Sequence, residues 1–452
     1  MIQTDIQKSF DTIRAKFIPL TNLMRYYDGP QPLRYSTERI KDAFADIHTH
    51  FEINWCTVIV DATLDRMILS GFNIKNNSAA NNIIDEIFER SNLTVDAQNV
   101  HKSALTSTLA YLIVWKTDEQ VDVYFNDPRM CHMFYDSTRP KIKKYAAKWF
   151  ELDDGRWEMT LYYPARIEHW QTTSQKAPDN YKSLTLVSEE INQYGIIPVF
   201  EFFCDGEIAK VVTLQDAINK IFADMMVAGE FGAFVQRWVI SQADPGDLKN
   251  GANVVWWLPS GDGQGQQSSV GQFTATPMTP YLDAMDKLAT AMAIITRTPK
   301  HYLMSTGSNI SGEALLAMES PLVKKVKQRQ KIFEGVWQEV AKFILQLSGY
   351  VIDQNDIVVT WERPEALQPF TEAQTRQLAI NSGIPLETSL RRDGWSEQEL
   401  SQLRNDIKNA KEIQSSVAQA VLDKLRIQQE QQNAKNQDMQ INDTTNPQPT
   451  VR

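Results

Sequence analysis

Apolar residues recur at three- and four-residue steps through Phe10, Ile13, Phe17 and Leu20 and again through Ile40, Phe44 and Ile47. The first hundred or so residues therefore read as helical. Tyr26-Tyr27-Asp28-Gly29-Pro30-Gln31-Pro32-Leu33 interrupts them, because its glycine and two prolines oppose helix. A further apolar stripe from Ile53 to Met67 ends before Ser70-Gly71-Phe72. From Ala110 the period changes to two. Tyr111 to Trp115 and Val121 to Phe125 flank a polar turn, and Lys144 to Phe150 and Trp157 to Tyr163 flank Asp153-Asp154-Gly155, which predicts two hairpins. Arg166 to Trp170 adds a strand, so residues up to about 211 read as α+β around one antiparallel, aromatic-rich sheet.

Long helices follow. Thr213 with Asp216 three residues on reads as a cap. Leu214, Ile218, Ile221, Met225, Ala228, Gly232, Val235 and Val239 then alternate steps of four and three. This stripe fits either an ordinary core helix or a helix–helix seam, which Ala228, Gly229, Gly232 and Ala233 would let a neighbour approach closely. Residues 241–280 break the pattern, with Val254 to Leu258 as one strand and a Gly/Gln/Ser segment from Ser260 to Gln272. A second helix, Tyr281 to about Arg297, is stopped by Thr298-Pro299, since proline disfavours helix in its predecessor. After the polar segment Lys300 to Ile310, Ser311 caps a third helix running to roughly Ser348 and bent by Pro321. At 1.5 Å per residue it is on the order of 55 Å long, too long for its stripe to be buried within one compact domain. Ile357 to Trp361 is an isolated strand expected to return to the earlier sheet. Thr371 with Gln374 and Ser396 with Glu399 read as capping boxes, Leu400 to Val421 as an amphipathic helix, and the Gln/Asn-rich end from Gln428 as disordered.

The length of 452 residues, at ~150 per domain, suggests two to four folded units, and 42% hydrophobic residues suffice for their cores. No run approaches a membrane span, and the start, Met1 to Asp5, lacks the regions of a signal peptide, which favours a cytosolic origin. Cys56, Cys131 and Cys204 form no disulfide framework and no CxxC pair. A net charge of −10 argues against a conventional DNA-binding factor.

Catalytic signatures are missing: there is no GxxxxGK[ST], HExxH or GxSxG. Gly261-Asp262-Gly263-Gln264-Gly265 lacks the third glycine of a dinucleotide loop and reads as a solvent loop. His48 and His50 fall on different helix faces, Cys131-His132 has no partners, and no metal set or cofactor is expected. Asp283 and Asp286 share a helix face, as surface acids commonly do. In the run Lys324, Lys325, Lys327, Arg329, Lys331, phosphate contact competes with the favoured reading of a solvated face or salt bridges to an acidic neighbour. No constellation supports an enzyme.

The order of parts, with its local sequence, resembles the portal (head–tail connector) proteins of tailed double-stranded DNA bacteriophages, most nearly the siphophage type. The resemblance is carried by Tyr26 to Leu33 as a Y-x-G-x-x-P-L turn and by the helix Asn54 to Phe72 with Val60-Asp61 and Asp65-Arg66. It continues through Asn92-Leu93-Thr94 to Ala110-Tyr111, Gly195 to Val199, and Ser311-Gly312-Glu313-Ala314-Leu315 with Arg329-Gln330 and Phe333. It implies a portal-like fold with an α/β wing over 1–211, stem helices over 212–241 and 280–297, and a small α/β clip over 242–279 between them. A tunnel loop over 298–310, a long bent wing helix and returning strand over 311–365, a helical crown over 366–427 and a tail over 428–452 complete it. It implies a non-enzymatic dodecameric ring at one capsid vertex, assembled in the host cytoplasm with no membrane involved. It further implies that double-stranded DNA passes through the channel of that ring, with the terminase large subunit, major capsid and scaffolding proteins, and a head–tail adaptor as partners. Lys300, His301, Thr306, Ser308 and Asn309 would face the channel, and Ile221, Met225 and Gly232 would pack stem against stem. Trp256 and Trp257 would anchor clip contacts or fill the subunit's own core. The alternatives are another virion or adaptor protein without a channel, and an enzyme acting on nucleic acid.

Overall fold

The computed structural model describes residues 4–29, 53–117, 120–233, 237–240, 256, 269–304, 311–365, 369–392, 395, 399–412, 419 and 424. The chain divides into two compact units, Met1–Ala366 and Leu367–Arg452.

The first unit is layered. Helix α1 (Asp5–Asp28) ends at Gly29, whose φ of 104° suits a residue without Cβ. Helix α2 (Trp55–Leu64) is capped by Asn54, and strand β1 (Leu69–Ile74), α3 (Ser78–Arg90) and α4 (Leu93–Ser107) follow. The hairpin region contains two antiparallel sheets rather than the one expected. β2 (Leu109–Thr117), β3 (Gln120–Asn126) and β9 (Val199–Phe203) form a three-stranded sheet with β2 central. β4 (Cys131–Tyr135), β5 (Lys143–Glu151), β6 (Trp157–Tyr162), β7 (Arg166–Thr172) and β8 (Leu184–Ile191) form a five-stranded meander.

The alternation of side chains explains the split. On β2, Tyr111 and Ile113 join Met133, Ala146 and Tyr162 of the meander in an inter-sheet core, while Ala110, Leu112 and Val114 face the helical core. A strand covered on both faces reads as a continuous apolar run, which is how Tyr111 to Trp115 looks. The other face of the meander, with Tyr145, Met159 and Leu161, packs on Phe10 and Ile13 of α1.

After the sheets come α5 (Val212–Ala233), β10 (Arg237–Ile240), β11 (Ser269–Gln272), α6 (Thr279–Thr296) and α7 (Gly312–Leu347). Thr213 lies inside α5 rather than at its cap. The helix expected to reach Ile240 ends at Ala233; Arg237–Ile240 instead pairs antiparallel with Ser269–Gln272. Trp238, Val239 and Ile240 are β-formers, and a sheet partner outweighed their helical spacing. Ser311 caps α7 as expected, its Oγ accepting from the Ala314 N–H at 3.3 Å. Through Leu322, Val326, Phe333, Trp337, Val340 and Ile344, α7 enters the helical core.

Strand β12 (Ile357–Trp361) pairs with β1, not with the hairpin sheets. The expectation of an all-helical N-terminal stretch fails at β1 for the same reason: its partner lies almost three hundred residues away, where no local pattern marks it. In the second unit α8 (Pro369–Asn381) begins two residues before Thr371, with proline tolerated in the first turn, so Thr371 is not its cap. Helix α9 (Leu386–Arg392) and a helical stretch over 399–412 follow. Ser396, residues 30–52 with His48 and His50, and residues 254–255 and 257–258 of the expected strand lie outside the described residues.

Candidate functional site

The functional question centres on the connection from α5 through α6 to α7. The small residues of α5 receive this chain's own return segment: a Cβ on Gly229 would meet Met278 Cε, and one on Gly232 would meet Ala275 Cβ, each at 3.8 Å. Ile221 and Met225 are half-buried, and Ile221 packs against the helical core. At the far end of the pair, Arg237 lies over the Trp256 ring at 5.6 Å, and the Trp238 indole fills the space beside Gly271.

Arg297 at φ 55° ends α6, and Thr298-Pro299 leads into a 3-10 turn, Lys300–Tyr302. Three side-chain contacts moor this turn. The Lys300 ammonium pairs with Asp286 on α6 at 2.7 Å. The Tyr302 hydroxyl donates to Glu319 of α7 at 2.9 Å and accepts from Arg66 at 2.8 Å. Arg66 also pairs with Glu319 at 2.9 Å, closing a triangle across the segment just after α2, the turn and α7. His301 is mostly buried, with Nε2 3.9 Å from Glu319 and Nδ1 without a hydrogen-bond partner. A groove of about 310 Å³ opens beside the turn, lined by Thr290, Ile294, Arg297, Lys300, Met318 and Pro321.

One turn deeper, the basic run of α7 resolves into its parts. Lys325 and Arg329 are buried against Glu207, at 3.5 and 3.0 Å. Lys325 also donates to the Thr296 carbonyl at the end of α6 (2.7 Å), and Arg329 to the Asp205 carbonyl (2.6 Å). Burial pulls the Lys325 ammonium down to about 8, with Glu207 working against the shift. Lys327 pairs with Glu365, and Lys331 with Glu334 at 2.8 Å. The salt-bridge reading of this run is correct; its two buried members tie α6, α7 and the 205–207 segment together.

Several of the residues carrying the family resemblance are ties of the same kind. Tyr26 donates to Asp216 at the start of α5 (2.7 Å), Tyr27 to Asp61 of α2 (2.8 Å), and Arg66 closes the triangle above. Cys56, Cys131 and Cys204 are buried, and desolvation pushes each thiol up to about 12. Among the described residues no group of three or more His, Cys, Asp or Glu could hold a metal ion, and no helix is long and apolar enough to cross a membrane.

Of the residues singled out in the sequence, the structure brings Lys300 and His301 into one turn, both with acidic neighbours. Thr306, Ser308, Asn309 and Trp257 lie outside the described residues. Sequence reasoning missed Arg66, Tyr302, Glu319 and Glu207. Glu319 and Tyr302 are separated by 17 residues and Arg66 from Tyr302 by 236, so only the fold reveals their meeting.

In this α+β chain the buried charged clusters join one helix to the next and form no catalytic constellation among the described residues, an arrangement in keeping with a structural protein. Over residues 8–419 the sequence matches the family described as "Phage portal protein, SPP1 Gp6-like". It is 21% identical over 384 residues to the portal protein of Mycobacterium phage L5 and 22% identical over 392 residues to that of Mycobacterium phage D29. Each alignment covers 78% of both chains. Among solved structures it is similar to a chain of "Virion of native gene transfer agent (GTA) particle", with a TM-score of 0.46 and 10% identity over 82% of this chain and 94% of that one. The chain belongs to the phage portal protein family, a structural class of virion component.

Proposed function

We propose that the chain forms the ring-shaped channel at one capsid vertex through which double-stranded DNA is packaged, retained and ejected. The ring is dodecameric in the virion; it docks the terminase large subunit during packaging and head-completion or tail adaptors afterwards, and it sits among major capsid and scaffolding proteins. Residues 1–211 and α7 with β12 form the wing, α5 and α6 the stem, the β10–β11 region the clip, residues 298–310 the tunnel loop, and residues from 366 the crown. Family membership over 8–419 supports this reading.

The physical observation that carries it is apolar surface left open on the helices a ring would cover. Leu282, Ile294 and Ile295 on α6, and Leu315, Leu316 and Met318 on α7, are exposed, Ile294 at 73%. Such a surface marks an interface, and a head-to-tail contact that closes by rotation covers it in every subunit alike. Lys300, with its charge balanced by Asp286, suits a conduit, because a phosphate polymer gripped tightly along its path could not slide.

Negative-stain imaging of the purified full chain tests the reading: closed rings with central stain are expected. A monomer at every concentration, and within assembled particles, overturns it. Lys300→Ala tests the loop: altered DNA packaging or retention is expected, and unchanged behaviour removes Lys300 from the channel.

A further inference from the structure

The five-stranded meander runs in the order β4-β5-β6-β7-β8, so β8 is one of its edges. Only Leu184 of β8 is buried; positions 185–191 are exposed without alternation, and Leu186, Val187 and Ile191 present apolar side chains. An edge strand offers a row of unpaired backbone donors and acceptors, and proteins that keep such an edge free blunt it. Here the blunting is partial. Trp170 pairs with Leu186 and His169 with Ser188, so Val187 is a bulge, but Ser188 to Ile191 pair regularly with β7. That regular end carries Glu189 and Glu190, of which Glu189 lies 3.5 Å from Arg166.

The opposite edge carries the complementary chemistry. The turn between β4 and β5 presents exposed Arg139, Lys141 and Ile142, with Arg139 3.9 Å from Asp136. The next two cations are already engaged, Lys143 with Glu339 and Lys144 with Asp5. Register places both features at the same end of the sheet: Tyr135 pairs with Lys143, Ala146 with Tyr162, Tyr162 with Ile167, and Arg166 with Ile191. A basic turn tipped by Ile142 and an acidic strand ending in Ile191 thus sit level with each other, four strand spacings or about 19 Å apart. Two β8 strands meeting antiparallel through this segment would set Glu189 against Glu190, which like-charge repulsion disfavours. A head-to-tail neighbour instead brings its turn to the edge.

We propose that the β8 edge of each subunit receives the 136–142 turn of the adjacent copy of this chain, with Arg139 and Lys141 opposite Glu189 and Glu190 and Ile142 beside Ile191. This rests on the ring reading above and names where neighbouring sheets meet. The test measures ring assembly of the full chain against concentration by sedimentation, with circular dichroism confirming the fold. Glu189→Lys/Glu190→Lys should raise the concentration for half-assembly about tenfold or more through like-charge contact. Adding Arg139→Glu/Lys141→Glu should restore assembly to near the original concentration. Assembly unchanged in the double variant, or not restored in the fourfold variant, overturns the contact while leaving the ring intact as a reading. A wild-type chain that forms no rings overturns both.

Discussion

Trp337 of α7 donates its indole N–H to Nε2 of His101 on α4 at 3.0 Å, with both side chains wholly buried. The other ring nitrogen, Nδ1, lies 3.1 Å from the Met67 carbonyl and so carries the proton, which makes the imidazole neutral. Desolvation lowers His101 to about 3, opposed only by that carbonyl. His132, half-buried under Tyr111 and beside Lys16 and Lys8, is likewise lowered to about 3, by desolvation first and the two lysines second.

An unfolded chain takes up protons at both imidazoles below its ordinary pKa near 6.5, while the folded chain does not. The contribution of these two histidines to stability is therefore full above pH 6.5 and falls as the pH drops toward 3, while His169, raised by its hydrogen bond to Glu158, works in the opposite sense. Between pH 6.5 and 5 the loss is about 1–2 kcal/mol for each histidine. Urea midpoints at the two pH values check this. His101→Gln should remove about half of the contribution from these two histidines, and an undiminished slope would mean that His101 is charged in the fold.

Glu207 is the common partner of Lys325 and Arg329, and removing it strands two buried cations. We expect Glu207→Gln to destabilise the chain by about 3–5 kcal/mol. Lys327→Ala, whose exposed pair with Glu365 sits two residues along, should cost below ~1 kcal/mol. Thermal unfolding of the two variants measures the contrast, and similar losses would contradict the burial argument.

The triangle of Arg66, Tyr302 and Glu319 holds the turn after α6 against α7. Tyr302→Phe leaves the ion pair but deletes both hydroxyl bonds, a loss of about 1–3 kcal/mol. A double-mutant cycle on Arg66 and Glu319 should return a coupling of roughly 0.5–3 kcal/mol. A coupling near zero would show that the Arg66–Glu319 pair adds nothing to the mooring of the turn.

Two glycines should answer oppositely to alanine. At Gly232 the added methyl meets Ala275 at ordinary contact distance inside a helix, so Gly232→Ala should stabilise by about 0.5–1 kcal/mol. At Gly271 it would fall within the Trp238 indole, so Gly271→Ala must displace that ring and disturb the β10–β11 pair. Trp fluorescence together with unfolding midpoints separates the two outcomes.

Local patterns were enough to fix much of this protein. Period-two stretches marked the β2–β3 and β5–β6 hairpins, in which Val114 lies opposite Val123 and Lys148 opposite Thr160, and a serine with the right spacing started α7. Dispersed motifs such as Tyr26-Tyr27 and Asp65-Arg66 carried the family likeness, which the match over 8–419 supports. Hairpins and caps are legible because their partners lie within a few residues of each other.

Tertiary structure decided the rest. Whether Val239 continued a helix or entered a strand depended on Val270, its partner about thirty residues further along the chain. Whether Lys325 faced solvent or Glu207 depended on a carboxylate more than a hundred residues earlier. Phe72 found Val359, and two sheets formed instead of one, because each β2 face had its own layer to bury against. A sequence displays which side chains want burial or a counter-charge; only the folded chain, by choosing which distant segments share that interior, settles what they meet.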